Sequence, residues 1–339
     1  MKQPDMAENV AVVGAGSWGT AMAVHLAQRH AGVALWAHEP EVVAKIRDTR
    51  ENGLFLPGVP VPDAVVPTGD LAEAVAGKTI VAFVVPSDHL RAVAARCAPH
   101  LSPGCCVVSL TKGLETATLQ RMTELLAEAL PAHILGPATL SGPTFAREVG
   151  EGKPSGATVA ARDIAVARRL QAAFSGDRFR VYAETDVVGI EVGGALKNVM
   201  AIAAGICDGL GFGHNARALL ISRGLAEITR VGVYLGAHPQ TFMGLSGLGD
   251  LVLTCTGDLS RNRTVGMRLG RGEAIGDILS GMTMVAEGVN TARAAFELSQ
   301  RTGVPMPISE QVYRILHEGK DARSAVSELF ARDLKMERE

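Results

Sequence analysis

The chain has 339 residues, a length that favours about two domains. Hydrophobic residues make up 47% and charged residues 20%, which is typical of a globular protein with a large core. The net charge is −2 and there is no basic run, so nucleic acid is excluded as an expected partner. A small anionic substrate is not excluded, because it needs only a few local cations.

The five cysteines predict free buried thiols rather than disulfides. Their number is odd, no CxxC occurs, and no Cys/His cluster has the spacing of a metal site. The first residues lack an apolar signal core. The most apolar helix, Val187–Cys207, contains Glu191, Lys197 and Asn198, and we expect it to fall short of a membrane span. These features predict a cytoplasmic protein with no membrane span and no metal.

A glycine-rich turn near the start predicts dinucleotide binding. Gly14, Gly16 and Gly19 follow an apolar strand, and a helix and a second strand come next, which is the context that a GxGxxG turn requires. Gly14 would allow the tight turn, Gly16 the approach of a pyrophosphate, and Gly19 close helix packing. The alternative is a turn that only packs tightly. The three predicted elements are Val10–Val13, Thr20–Arg29 and Val33–Trp36.

The end of the second strand bears on the choice of cofactor. An acidic residue there would bind the ribose 2′-hydroxyl of NAD and repel the 2′-phosphate of NADP. Here Ala37 and His38 stand at the tip and Glu39 follows. A histidine can accept a phosphate, so NADP or NAD is expected, with NADPH favoured. The alternative is an exposed loop histidine.

The next stretch predicts a doubly wound parallel sheet, because short apolar strands alternate with helices. Ligands bind beyond the carboxyl ends of such strands, where Lys112 and the loop Gly142–Ala146 fall. Lys112 could instead only cap a helix or be solvated. Asn52–Pro67 is rich in Pro and Gly and predicts a loop or a hairpin excursion. The further predicted elements are strands at Thr79–Val85, Cys105–Leu110, Gly156–Ala160 and Arg178–Tyr182 and a helix at Ile164–Phe174.

From about residue 189 the pattern becomes helical throughout. We therefore predict an α/β fold with a Rossmann-like domain at residues 1–189, followed by an all-α domain at 190–339. Small residues and apolar faces in the helical half suggest a homodimer. The predicted helices are Gly189–Cys207, Ala216–Leu235, Pro239–Met243, Asn262–Arg271, Asp277–Ser280, Thr291–Thr302, Ile308–Glu318 and Ala322–Phe330.

One predicted helix combines a lysine with a stripe of small residues. Lys197 lies on the face of Gly194, Ala201 and Gly205, so a bulky ligand could approach the backbone there. A charge in an apolar helix is costly unless it is paired or used. The alternative is a lysine whose ammonium reaches solvent along its own methylenes.

Two polar clusters add to this lysine. Asp250 is predicted in a turn, and Ser260, Arg261 and Asn262 form a helix start suited to a phosphate. The bland alternative is a capped surface helix with solvated arginines. Together the clusters suit hydride transfer to a small phosphorylated carbonyl compound, with Lys197 as the proton donor. Burial would lower the pKa of Lys197, and Asp250 would raise it.

The chain resembles the bacterial NAD(P)-dependent glycerol-3-phosphate dehydrogenases along almost its whole length. The motifs that carry the resemblance are VVGAGSWGTA, LWAHEP, VPSDHL, TKGLE, SGPTFA, GGALKN, GFGHNAR, GLGDLVLTCT, SRNR and the EG at 287–288. The resemblance implies reversible conversion of dihydroxyacetone phosphate to sn-glycerol 3-phosphate, the backbone of phospholipids.

The resemblance also implies roles for individual residues. Lys197 would be the proton donor, and Lys112 would contact both substrate and nicotinamide. The implied substrate-binding residues are Lys112, Gly142, Thr144, Lys197, Asp250, Ser260, Arg261 and Asn262. The implied cofactor-binding residues are Gly14, Gly16, Ser17, Trp18, Gly19, His38, Lys112, Ala146, Arg261, Val285 and Glu287.

Two rival functions stay open at this point. One is a related dehydrogenase with a lysine base that acts on a β-hydroxy acid or a sugar acid. The other is a regulator that binds NAD(P) without catalysis. Assays with dihydroxyacetone phosphate would separate all three.

Overall fold

The computed structural model describes residues 8–282, 286–334 and 336–337. In this part of the chain eight strands form one sheet in the order β3-β2-β1-β4-β5-β6-β7-β8. The strands are β1 (Val10–Val13), β2 (Val33–Trp36), β3 (Val65–Thr68), β4 (Ile80–Phe83), β5 (Cys106–Ser109), β6 (Leu135–Ser141), β7 (Ser155–Ala160) and β8 (Phe179–Glu184).

Helices cover both faces of this sheet, as a doubly wound fold requires. Apolar side chains on each face form a buried core. The helices of this half are α1 (Ser17–Leu26), α2 (Pro40–Thr49), α3 (Leu71–Val75), α4 (Ser87–Cys97), α5 (Met122–Ala129), α6 (Ala146–Gly150) and α7 (Ile164–Phe174).

The sheet is parallel except where β7 pairs with β6 antiparallel. β7 and β8 are parallel to each other, so both run opposite to β6. The carboxyl ends of β1, β4, β5 and β6 therefore lie at one edge of the sheet. Those of β7 and β8 lie at the opposite edge.

The rest of the described chain is helical and has its own apolar core. The Rossmann-like class and the helical second half are thus both confirmed, whereas the proposed boundary at residue 189 stays a prediction. The helices are α8 (Val187–Gly209), α9 (His214–Tyr234), α10 (Asp250–Thr256), α11 (Arg261–Gly270), α12 (Ile275–Ser280), α13 (Glu287–Thr302), α14 (Pro307–Glu318) and α15 (Ala322–Phe330), with a 3-10 turn at Pro239–Met243.

Three predicted local structures were wrong. The edge strand β3 begins at Val65, inside the stretch Asn52–Pro67 for which no strand was predicted. Its pairing with β2 outweighs the proline at its third position. α1 begins at Ser17 rather than Thr20, because the extended Gly16 is its N-cap. Asp250 opens α10 directly after a π-helical turn at Leu245–Gly249, so it lies in a helix rather than a turn.

The small-residue stripe of α8 mainly serves helix packing. A Cβ at Gly205 would lie 2.0 Å from the Arg263 carbonyl oxygen of α11, so the two backbones touch there. The expectation of a ligand at Gly205 was therefore wrong. Gly194, nearer to Lys197, instead faces Ser141 and the Lys112 side chain.

α8 is also long and apolar enough to cross a membrane, with a mean hydropathy of 1.5, so the expectation that it falls short was wrong. Within the fold, however, 94% of the 18-residue stretch of α8 that has this hydropathy is buried. α8 is the central core helix of the second half, in contact with α9, α10, α11 and α13.

Candidate active site

The fingerprint turn links β1 to α1 at the carboxyl edge of the sheet. Gly14 has a φ of +118°, in the region that favours glycine, and a Cβ at Gly19 would lie 1.8 Å from the Gly14 carbonyl oxygen. No heavy atom lies within 4 Å of a Cβ built on Gly16. The turn is therefore tight at Gly14 and Gly19 and open at Gly16, where a pyrophosphate would approach.

Side chains beside the turn also suit a dinucleotide. Ser17 donates a 2.6 Å hydrogen bond to the Phe55 carbonyl oxygen, which ties the 52–55 loop to the turn. The Trp18 indole Nε1 is buried and has no hydrogen-bond partner in the described chain. A buried donor without a partner is rare and indicates a missing acceptor. The residues present thus fit a nicotinamide dinucleotide.

Asp250 joins two lysines at the same edge of the sheet. Lys197 Nζ lies 2.5 Å from one carboxylate oxygen, and Lys112 Nζ lies 2.7 Å from the other. Lys197 is 6% exposed and Asp250 is 1% exposed. Two ammonium groups share one buried carboxylate, so this lysine pair carries a net positive charge.

Burial makes the Lys197 ammonium easier to deprotonate, although it faces a carboxylate. Burial lowers the pKa of Lys197 to about 7, since Asp250 raises it only in part and the Lys112 charge lowers it further. A buried lysine with a pKa near neutrality is well suited to acid–base catalysis. The two opposing effects expected from the sequence are therefore both present.

The Gly142 loop borders the lysine pair. Its carbonyl oxygen accepts hydrogen bonds from Lys112 Nζ at 3.0 Å and from Thr144 Oγ1 at 3.1 Å. Gly142 has a φ of +158°, and a Cβ there would lie 2.7 Å from the Ala157 Cα. Ala146 starts α6, which packs against α1. This loop therefore links the fingerprint helix to the lysine pair.

The start of α11 forms the side of the site that is suited to a phosphate. Ser260 is its N-cap, as predicted, and accepts from the Arg263 N–H at 3.2 Å. Asn262 is buried and its Oδ1 accepts from the Gly288 N–H at 3.0 Å. Arg261 reaches the surface, yet surrounding protein lowers its pKa by burial, and Glu287 opposes this shift. No carboxylate of the described chain forms an ion pair with Arg261.

Glu287 lies between this helix start and α4. Its carboxylate accepts from Ser87 Oγ at 2.7 Å and from the Ser87 N–H at 3.2 Å, and burial raises its pKa. Val285 lies outside the described residues. His38 is exposed at the tip of β2, with its ring centroid 6.1 Å from that of Trp36. His38 thus lies beside the second strand.

Sequence reasoning missed two contributors. Thr254 Oγ1 accepts from Lys197 Nζ at 2.9 Å and donates to the Asp250 carbonyl oxygen at 2.6 Å. Its spacing of four from Asp250 would have revealed it had the segment been predicted as a helix. Ser87, the partner of Glu287, could have been found because it follows a strand end.

The fold and the site together define a class of protein. A sheet with a dinucleotide fingerprint faces a helical half that brings a buried lysine to the carboxyl edge, which is the arrangement of a two-part dehydrogenase. Two family models match the chain, one for the N-terminus of NAD-dependent glycerol-3-phosphate dehydrogenase at residues 9–167 and one for its C-terminus at 186–327. The chain belongs to this family of oxidoreductases, as the motifs predicted.

Individual relatives agree with the family models. A glycerol-3-phosphate dehydrogenase [NAD(P)+] of Geobacter sulfurreducens is 55% identical over 98% of this chain and 100% of the relative. The crystal structure of a glycerol-3-phosphate dehydrogenase from Coxiella burnetii matches with a TM-score of 0.92 and 38% identity, over 96% of this chain and 99% of that one. A ketopantoate reductase from Ralstonia eutropha JMP134, at 18% identity and a TM-score of 0.58, shares only the fold, over 94% of this chain and 99% of that one.

Proposed function

We propose that the chain reduces dihydroxyacetone phosphate to sn-glycerol 3-phosphate with NADPH or NADH, and catalyses the reverse reaction. The observation that carries this proposal is the buried Lys197, held 2.5 Å from Asp250 at the sheet edge that the fingerprint turn also occupies. Family membership and the names of the relatives support the choice of substrate. The product would supply glycerol phosphate to phospholipid synthesis.

Lys197 acts as the general acid in reduction. A bound NADPH or NADH would supply the hydride, whose two electrons reduce the C2 carbonyl of the ketone to an alcohol. Negative charge develops on the carbonyl oxygen, and the Lys197 ammonium stabilises it and transfers its proton to that oxygen. In oxidation, neutral Lys197 accepts the proton of the hydroxyl group instead.

Lys112, Asp250 and Thr254 set the position of the Lys197 ammonium. Asp250 holds it from one side and Thr254 Oγ1 from another, at 2.5 Å and 2.9 Å. Lys112 Nζ lies beside the reacting oxygen and is fixed by hydrogen bonds to the Gly142 carbonyl oxygen and to Asp250. Such fixed charges stabilise the transition state without reorganisation at the moment of reaction.

The substrate phosphate binds at the start of α11. Free N–H groups of the first helical turn, the Arg261 guanidinium and the Ser260–Asn262 segment converge there. We assign the Gly142–Thr144 loop to the glycerol portion of the substrate. Ala146, Glu287 and Val285 are assigned to the cofactor, together with Gly14, Gly16, Gly19, Ser17, Trp18 and His38.

We propose NADPH as the preferred cofactor because no carboxylate ends β2. Ala37 and the exposed His38 stand at the tip, so a 2′-phosphate meets no acidic group at that position. All five cysteines are free and buried, which supports a reducing compartment such as the cytoplasm. A homodimer is proposed from exposed apolar side chains of the helical half, among them Leu219 and Tyr234.

Paired steady-state kinetics with NADPH and NADH on dihydroxyacetone phosphate test the proposal. We expect oxidation of both cofactors, with a higher kcat/KM for NADPH. Ketopantoate and other keto acids should be poor substrates, because they lack the phosphate that the α11 start would bind. Cofactor binding without turnover of dihydroxyacetone phosphate would instead support a non-catalytic regulator.

A further inference from the structure

A cleft lies at the edge of the sheet opposite the active site. It has a volume of about 890 Å³ and is lined by residues of both halves of the molecule. The segments after β7 and β8, Ala161–Asp163 and Thr185–Val188, contribute to it, as does Gly136 at the start of β6. Because β7 and β8 run opposite to β6, these segments lie at the end of the sheet opposite to the Gly142 loop.

The acidic side chains of this cleft are already engaged. Asp163 and Asp186 accept hydrogen bonds from the N–H groups of Ala165 and Gly189, at the starts of α7 and α8. Each also faces the positive end of a helix dipole. Four acids and three arginines line the cleft. Because the two signs nearly balance, the charge of the ligand that the cleft prefers depends on which of these side chains already have partners.

The remaining two acids are neutralised by arginines. Glu124 pairs with Arg121 at 2.6 Å, and Glu128 pairs with Arg91 at 3.2 Å. Arg121 is further occupied by the buried Glu191 of α8, at 2.7 Å. All four carboxylates and Arg121 therefore already have partners within the protein.

Two arginines on different walls have no such partner. Arg162 follows β7, and Arg301 lies in the last turn of α13. Neither forms an ion pair with any carboxylate of the described chain, and Arg301 only donates a long 3.4 Å hydrogen bond to the Thr118 carbonyl oxygen. Both side chains are exposed, and guanidinium groups bind carboxylate and phosphate oxygens in pairs, so the two arginines are available to an anion in this cleft.

The floor of the cleft is apolar. Leu119, Leu235 and Leu298 line it and also line a smaller adjoining cavity of about 80 Å³. That cavity reaches Leu114 and Leu196, which neighbour the loop of Lys112 and Lys197 itself. A ligand that satisfies the whole site therefore needs an anionic group and a short aliphatic portion.

We propose that this cleft binds an amphipathic organic anion, whose acidic group lies between Arg162 and Arg301 and whose aliphatic portion lies on Leu119, Leu235 and Leu298. The ligand would contact the sheet half and the helical half at once, at the start of α8. The site is separate from the Arg261 phosphate site, so both can be filled together.

Calorimetric titration and saturation-transfer NMR of the full chain with hexanoate test this site. Hexanoate should bind, and hexanamide, the neutral analogue of the same shape, should bind at least tenfold more weakly. Acetate should also bind more weakly, since each buried methylene adds about fourfold in affinity. Equal binding of hexanoate and hexanamide, or no binding of hexanoate, would overturn the proposal.

Variants then locate the bound hexanoate. Replacing both arginines, Arg162→Gln with Arg301→Gln, should weaken binding at least tenfold and leave kcat and Tm unchanged, because neither residue has an ion pair. Arg323→Gln, an exposed arginine of α15 outside the cleft, is the matched control and should bind as the parent does. Saturating glycerol 3-phosphate should not displace hexanoate. Displacement, or full binding by the double variant, would place hexanoate elsewhere and refute the site.

Discussion

The fingerprint turn and the lysine pair lie at the same edge of the sheet but are built in different ways. The turn is one short segment, Gly14–Gly19, and acts through its backbone. The lysine pair joins side chains separated by 53 and 138 positions in the chain. The chemistry of the turn therefore depends on local spacing, whereas that of the lysine pair depends on burial and on charges that only the fold brings together.

Removal of the Lys197 ammonium should have the largest effect. Lys197→Met keeps the length of the side chain and leaves Asp250 paired with Lys112, so the fold should persist. Without its acid, turnover of dihydroxyacetone phosphate should fall about 10²–10⁴-fold. Steady-state kcat and fluorescence titration of NADPH measure the two properties separately, and cofactor affinity should change little.

A lysine outside the site provides the comparison for this variant. Lys153 is exposed and, within the described residues, its ion-pair partner is Glu151, so Lys153→Met should keep full turnover. Turnover of Lys197→Met close to that of the parent would mean that the lysine pair is only structural. The lysine pair would then not differ from the glycine turn by a chemical role of its side chains.

Arg261→Ala should have the next largest effect, on KM rather than on kcat. Loss of a guanidinium from a bound phosphate costs several kcal/mol, so KM for dihydroxyacetone phosphate should rise about 100-fold. Arg263, two positions along α11, pairs with Asp208 at 2.8 Å. Arg263→Ala should lower Tm and change KM far less, and equal KM values for the two variants would detach Arg261 from the phosphate.

The turn can be tested by moving one methyl group along it. Gly16→Ala meets no atom within 4 Å, so Tm should be unchanged. The added methyl group occupies the space of the pyrophosphate, so the NADPH Kd should rise about tenfold. Gly19→Ala would place its Cβ 1.8 Å from the Gly14 carbonyl oxygen and should lower Tm in differential scanning fluorimetry. A lower Tm for Gly16→Ala would show that Gly16 serves packing instead.

The same contrast explains what the sequence revealed. The turn could be interpreted residue by residue, because each glycine follows from a local steric demand. Lys197 and Asp250 could be singled out as costly polar residues, but not the sharing of Asp250 with Lys112, which depends on the meeting of three segments. Thr254 was missed because the π-helical turn at Leu245–Gly249 concealed the start of α10. Gly205 was assigned to a ligand-binding face because its spacing in the sequence is the same whether a ligand or another helix packs against it.

The pH dependence of catalysis tests the charge balance of the lysine pair. With the pKa of Lys197 at about 7, oxidation of glycerol 3-phosphate should rise as pH increases through 7, since it needs the neutral amine. Reduction needs the ammonium form and should fall over the same range. Lys112→Met removes a positive charge that lowers the pKa of Lys197. The rise of oxidation and the fall of reduction with pH should therefore both move to higher pH.

Profiles of kcat/KM against pH, recorded in both directions, measure this shift apart from the loss of rate. Lys112→Arg keeps the positive charge and should leave the midpoint close to that of the parent, even if the rate falls. A midpoint that does not move in Lys112→Met would show that Lys112 acts only in binding. The pKa of Lys197 would then not depend on the charge of Lys112.

The smallest effect is expected at His38, because an exposed side chain at the end of β2 acts through weak, solvent-screened electrostatics. His38→Asp introduces a carboxylate that repels a 2′-phosphate and can bind a 2′-hydroxyl group. The ratio of kcat/KM for NADPH to that for NADH should fall about fivefold, equivalent to about 1 kcal/mol. His100→Asp, on the 3-10 turn after α4, adds the same charge away from the β2 tip and should leave the ratio unchanged. Equal falls in both variants would indicate a general charge effect, whereas a fall confined to His38→Asp would show that this end of the dinucleotide site depends on a side chain, unlike the glycine turn beside it.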